Sequence, residues 1–245
     1  NGEKYPVHVI TLDGNQHFTE NKTFGDAYDV ATKDTYAQNM VIVKVNGDLE
    51  IDEGVTVAPY YDENYGGPKG FTLYVTGKLT NKGTIDNSHG AYAEGQDVYL
   101  WKNTDGTYEY VPKVGASQNQ NNEGAGTDGK NRQTGSGGNS QYYYGSSGTS
   151  YSGGSGASRS MNAKPNGGAG GNGNDSGEGG GAGNPGGTSK TTGANGSNGT
   201  GGLLTIYANE YENEGIISAT GSNGGSEYRS GGSSGGGSIN IFTNQ

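Results

Sequence analysis

Carboxylates, histidines and tyrosines are the side chains of this sequence that could do chemistry, and their spacing sets how much. Gly170-Gly171-Asn172-Gly173-Asn174-Asp175 spells the first six positions of the calcium-binding repeat Gly-Gly-x-Gly-x-Asp. A hard cation would be held there by oxygen ligands. The large apolar residue that the motif needs two positions after the Asp is Gly177, however, and no second copy follows. Chance in a Gly/Asn-rich stretch accounts for the match, and no metal site is assigned. Asp48, Asp52, Asp62, Glu63 and Asp86 fall at corners or in loops. Asp48, Asp52 and Asp86 can approach one another if their segments stack, but as solvated corner residues. His8, His17 and His89 are too scattered to pair by spacing, there is no nucleophile elbow, and the Gly-rich strings lack the Lys-Ser/Thr of a phosphate loop. The sequence is therefore read as non-enzymatic, with no catalytic residue, metal or cofactor.

Tyrosine is the one abundant functional side chain, with 18 copies. Tyr60, Tyr61 and Tyr65 crowd one loop, and Tyr142, Tyr143, Tyr144 and Tyr151 stud a glycine-rich zone. Exposed Tyr stacks on sugar rings and anchors interfaces. It can equally cover glycine-rich backbone where aliphatic residues are missing. Tyr142, Tyr143, Tyr144, Tyr151, Tyr60 and Tyr61 are the candidate interface or glycan contacts.

The elements that must position these residues are built from unusual material. Among 245 residues only 28% are hydrophobic, 51 are Gly and none is Cys. So little Leu, Ile, Val and Phe argues against a compact enzyme, a helical bundle or a doubly wound α/β fold. Disulfides and Cys-based metal sites are excluded. No stretch approaches the ~20 apolar residues that span a bilayer. A formal net charge of −10 with few basic clusters disfavours nucleic acid as a partner. No initiator Met and no signal peptide precede Asn1, so a processed mature protein or an excised fragment is expected. The sequons at Asn21 and Asn198 carry little weight in an Asn/Thr-rich chain. Composition points to an extracellular setting.

Four regions follow one another. Residues 1–38 read as an N-terminal cap or docking segment, with a strand from Tyr5 to Leu12 and a short helix capped by Thr23 carrying Phe24, Tyr28 and Ala31 on one face. Residues 39–114 alternate apolar and polar (Val41, Val43, Val45; Leu49, Ile51; Val55, Val57; Phe71, Leu73, Val75) and then show a hairpin pattern around Asp105-Gly106. Residues 115–202 hold more than half of all the glycines and no Val, Ile, Leu, Phe or Trp. Residues 203–245 restore the strand pattern, with a second Gly/Ser loop between Gly221 and Gly237.

An internal repeat links these regions. Val45 to Val55 matches Val75 to Ile85 and Tyr207 to Ile217, the first with one extra residue and the third shifted by one in strand parity; Ser238 to Phe242 begins a fourth copy. The shared skeleton is an alternating strand, a Gly or Asn corner, an apolar residue, a second Gly and an apolar residue. It predicts an all-β fold, a parallel β-solenoid (β-helix) whose short strands fill a narrow core and stack at the ~4.8 Å strand spacing. The competing reading of the alternation is an antiparallel two-sheet sandwich. The strings Gly70 to Ile85 and Gly202 to Ile217 resemble coils of bacterial surface β-helix proteins of the haemagglutinin/adhesin type. The likeness covers about a third of the chain and implies architecture without carrying over any binding residue.

Within the glycine zone, Gly recurs every third residue at Gly167, Gly170 and Gly173, at Gly177, Gly180, Gly183 and Gly186, and at Gly193, Gly196, Gly199 and Gly202. Three residues per turn is the polyproline-II period. The spacing resembles the polyglycine-II packing of certain phage tail-fibre adhesins, and the alternative is an irregular loop on the solenoid flank. Ordering this much glycine is costly, so dense backbone hydrogen bonding or packing between protomers is expected.

These features together predict an extracellular structural protein, a self-assembling subunit of a bacterial surface fibre or adhesin. Ile239, Ile241, Phe242, Val7 and Val9 are the candidate assembly edge for a head-to-tail homo-oligomeric filament. Two other readings are a phage tail-fibre adhesin recognising a host surface glycan and, third, a polysaccharide-active β-helix enzyme.

Overall fold

Aliphatic residues at every second position send alternate side chains to opposite faces of an extended chain, and such chains pair into sheets. The structure, a computed structural model, describes residues 7–25, 40–61, 70–88, 98–102, 108–112, 133–134, 140–141, 179–183, 186–189, 194–197, 199, 201–225 and 232–244. These residues are all β, without a helix, and most of their strands run parallel.

In chain order the strands are β1 (Val7–Asp13), β2 (Gln16–Phe18), β3 (Lys22–Phe24), β4 (Met40–Asn46), β5 (Leu49–Ile51), β6 (Thr56–Pro59), β7 (Gly70–Asn81) and β8 (Thr84–Asp86). They continue as β9 (Val98–Lys102), β10 (Tyr108–Pro112), β11 (Gln133–Thr134), β12 (Ser140–Gln141), β13 (Leu203–Asn213), β14 (Ile216–Ser218) and β15 (Ser238–Thr243). The first sheet runs β1-β4-β7-β13-β15, all parallel, with β2 and β5 pairing beside the second half of β7. The second sheet runs β3-β6-β8-β14, also parallel. Neighbours in each sheet thus follow one another in sequence order. An antiparallel sandwich is excluded by these directions. The predicted hairpin is present as β9 and β10, antiparallel with Trp101 opposite Glu109, and β11 pairs β12.

The register builds columns of side chains that point into one core. Val41, Phe71, Leu204 and Ile239 share a column, Val43, Leu73, Ile206 and Ile241 a second, and Val45, Val75 and Ala208 a third. Leu49 over Leu79 and Val57 over Ile85 continue the core into the shorter strands. Phe71, Leu73, Leu79, Ile85, Leu204 and Ile206 are fully buried. Because each column needs only one aliphatic residue per strand, a chain poor in aliphatic residues can still hold a continuous interior.

The first strands of the two sheets close that interior with mixed chemistry. Phe18 and Phe24 are buried, with ring centroids 6.1 Å apart. In the columns of Leu49 and Val57, however, the first strands place Gln16 and Lys22. The Lys22 ammonium lies 6.0 Å from the Phe18 ring centroid and 2.8 Å from Glu20 Oε1. Its stem covers apolar surface while its charge stays in water.

Corners stack as regularly as strands. Asn15 Oδ1 accepts a hydrogen bond from the Asp48 amide (2.9 Å), and Asp48 Oδ1 accepts one from the Lys78 amide (2.8 Å). Asn81, fully buried, donates from Nδ2 to Asn213 Oδ1 at 2.7 Å. These side chains satisfy backbone donors or one another where the ladder is interrupted.

Two sequence expectations change, and a third acquires its cause. Thr23 caps no helix: it lies within β3, where Phe24 is needed in the core, while Tyr28 and Ala31 lie outside the described residues. Val57, not Val55, is the partner of Ile85: between the Ile51–Asn81 and Thr56–Thr84 pairs the first copy's turn, which includes Gly54 at φ 78°, is two residues longer than the second copy's. The parity shift of the third copy is a β-bulge between Ala208 and Glu210: Ala208 faces Val75 while Glu210 faces Lys78.

The described part of the glycine zone is ordered by backbone bonds. Gly180 donates to the Ala194 carbonyl (3.0 Å) and Gly183 to Ser197 (3.2 Å), a step of three residues on each side. Ser234 to Ser222 and Gly237 to Ala219 repeat the step in antiparallel sense. Cross-links join the two loops: Ala182 to Gly232, Ser197 to Asn223, Gly201 to Gly235 and Gly225 to Gly180. The described residues of 179–187, 194–202, 219–225 and 232–238 therefore fall in four segments that each bond to the other three, a pattern a sheet strand with two neighbours cannot make. Close approach dictates the residue type. A Cβ on Gly196 would fall on the Gly181 carbonyl oxygen, and one on Gly180 on that of Gly187.

Candidate functional site

Residues between the inward columns face out, and two outward rows concentrate chemistry. The first follows from register: Lys44, Tyr74, Tyr207 and Phe242 stand side by side on β4, β7, β13 and β15. Tyr207 and Phe242 are stacked, 4.8 Å between centroids and 14° between planes, and Tyr74 tilts 57° to Tyr207 at 5.9 Å. Tyr74 and Phe242 remain 40% and 38% exposed, a large apolar area to leave in water. Beyond the rings, Thr76, Asn209 and Asn244 form a polar shelf. Asn244 Nδ2 donates to Asn209 Oδ1 at 2.8 Å. Rings and shelf enclose a groove of about 310 Å³.

The second row is charged. His17, Glu50, Thr80 and Glu212 are in register on β2, β5, β7 and β13. Lys82 Nζ lies 2.6 Å from Glu50 Oε1, Lys78 is paired with Glu212, and His17 Nε2 is 2.8 Å from Asp52 Oδ1. The Glu50 hydrogen bond raises the Lys82 pKa, and Lys78 and Glu212 hold each other's charged forms in the same way. His17, Glu50 and Asp52 have ligand atoms within 4.8 Å of one another. Lys82 already neutralises Glu50 and Asp52 already engages His17, so the arrangement is a set of solvated ion pairs clipping neighbouring strands. Asp52 hydrogen bonding raises the His17 pKa above its usual 6.5. A raised pKa gives a contribution that is complete below pH 6.5 and lost as pH rises through the folded-state value. An NMR titration should place the His17 midpoint above 6.5 and return it to the ordinary range in Asp52→Asn.

No protein-family model, curated protein or solved structure matches the chain. What the sites can do therefore rests on their geometry.

Of the residues singled out in the sequence, Tyr142, Tyr143, Tyr144 and Tyr151 lie outside the described residues, as do Gly170 to Asp175 and His89. Tyr60 and Tyr61 follow β6 and are half-buried, the Tyr60 amide donating to the Phe24 carbonyl at 2.6 Å. Ile239, Ile241 and Phe242 lie on β15, at one edge of the first sheet, and Val7 and Val9 on β1, at the other. Val9 sits on the outward face, 53% exposed; the β1 residues that pack on the core are Ile10 and Leu12. Sequence reasoning missed Tyr74 and Tyr207. The signal was there: Phe71-Thr72-Leu73-Tyr74, Leu204-Thr205-Ile206-Tyr207 and Ile239-Asn240-Ile241-Phe242 each place a ring after an inward-outward-inward triplet.

Proposed function

We propose that the chain is a structural protein of the extracellular surface, a β-solenoid subunit of a self-assembling bacterial fibre or adhesin, without enzymatic activity. The reading is supported by parallel strands that pair in chain order, as successive coils would, and by glycine segments bonded at three-residue steps, as in polyglycine-II packing. Narrow stacked coils suit a fibre because every new coil presents the same edge that the previous one covered.

The single observation that carries assembly is the state of β15. Among the described residues it pairs on one side only, and the Ile239 and Ile241 side chains, which continue fully buried columns, are 44% and 40% exposed. An open strand edge above an open core column recruits another strand. The proposed contact sets β15 against β1 of a second copy, through the first half of the first sheet; beside it at that end, Gln16 on β2 of the first sheet and Lys22 on β3 of the second offer polar groups. Sedimentation velocity over a hundredfold concentration range tests this. The chain should associate with rising concentration, and Ile241→Lys should remain monomeric. A wild-type monomer at the highest concentration would overturn the fibre reading.

A further inference from the structure

We propose that the groove along Tyr74, Tyr207 and Phe242 is a binding site for a neutral, linear polysaccharide. This deepens the adhesin half of the functional reading and rests on it.

Three observations select that ligand class. Parallel pairing repeats the same pair of groups on successive strands, a ring and then a hydroxyl or amide: Tyr74 with Thr76, Tyr207 with Asn209, Phe242 with Asn244. Strands are ~4.8 Å apart, close to the advance of one hexopyranose in an extended chain, so successive sugars would meet successive strands. A pyranose ring has a C–H face and a hydroxyl rim. The stacked faces of Tyr207 and Phe242 cover each other, so the ring surface left exposed at Tyr74 and Phe242 takes the former, and amides, which both donate and accept, take the latter. The Asn209–Asn244 pair uses one donor and one acceptor in its mutual bond; each amide has further capacity for sugar hydroxyls.

Charge decides between neutral and acidic glycans. Among the described residues, no Asp, Glu, Lys or Arg lines the groove. A polyanion would find a single cation, Lys44, beyond Tyr74 at the β4 end of the row and outside the groove lining, and would approach a chain with a formal charge of −10. An aromatic surface meant for a second copy would be expected to close over by hydrophobic contact alone, whereas here one whole side of the groove is Thr and Asn.

Affinity electrophoresis of the full chain tests the proposal, in native gels containing mixed-linkage β-glucan, linear mannan or polygalacturonate. At least one neutral polymer should retard the protein. Tyr207→Ala should weaken that retardation tenfold or more, and Asn244→Ala, an exposed position that leaves the core intact, at least threefold, both with unchanged circular dichroism. Retardation by neither neutral polymer, retardation by polygalacturonate alone, or equal retardation of wild type and Asn244→Ala would overturn it. Sedimentation of the same samples separates this result from assembly. A monomer that is still retarded and still sensitive to both substitutions keeps the groove while removing the fibre. Association lost in Tyr207→Ala without retardation assigns the rings to a second copy and overturns the site.

Discussion

Replacing Phe71 with alanine is expected to lower the unfolding free energy by about 3–5 kcal/mol, the usual cost of truncating a buried ring. Phe71 lies on β7, with β4 on one side and β13 on the other, and none of its surface reaches solvent. Its column neighbours Val41 and Leu204 are equally buried. Those neighbours are held by ladder hydrogen bonds on both sides, so they cannot collapse into the space the ring leaves. Urea denaturation followed by circular dichroism measures the effect. A change below about 0.5 kcal/mol, the size of a surface substitution, would mean that β7 is not the centre of the interior.

The second large effect is expected from a single methyl group. Gly196→Ala should cost about 2–4 kcal/mol, combining overpacking with the loss of one or two backbone hydrogen bonds. Gly196 donates to the Gly187 carbonyl at 2.8 Å, and a Cβ there meets the Gly181 carbonyl oxygen, which belongs to backbone and cannot swing away. Hydrogen exchange should accelerate at Gly180, Gly183 and Gly199, whose amides donate within the same lattice. Gly14→Ala is the matched control. Its φ of 76° also favours glycine, but a Cβ there meets nothing within 4 Å, so only ~1–2 kcal/mol of left-handed backbone strain is expected. Equal exchange at the lattice amides in the two variants would show that close approach does not hold the glycine segments together.

The sequence made the parallel strands legible because each strand carries its own evidence: Val41, Val43 and Val45, or Leu204 and Ile206, alternate wherever one face is buried. Corners were legible through Gly47, Gly77 and Gly83. Register was less so. The bulge, where Thr76 and Gly77 of β7 stand against the single Asn209 of β13, shifts pairing by one residue, and the longer turn after Ile51 shifts it by two; such shifts are invisible in composition. The three-residue period of Gly180, Gly183 and Gly186 signalled ordered packing, but not that the loop from Gly221 to Gly237 supplies half of the partners. Backbone amides bond to backbone carbonyls whatever their side chains, so nothing in the residue types records which loop meets which. The aromatic row was hidden for a different reason. Tyr74 and Tyr207 stand far apart in sequence, and only strand pairing reveals that they share a surface.

Pairing of β7 with β13 has a kinetic consequence. Everything from Lys82 to Gly202 separates two strands that must lie side by side. Thermodynamically that excursion is cheap, since each doubling of a flexible loop adds only about 0.6 kcal/mol of closure cost. In time it is expensive, because distant pairings form slowly. During synthesis, β1 to β8 can stack while β13 has yet to emerge. Through that interval the outer edge of β7, with Phe71 and Leu73 above it, waits uncovered. A nascent chain in this state is open to pairing with its neighbours, so the protein's most hazardous moment is expected to come before its last forty residues arrive.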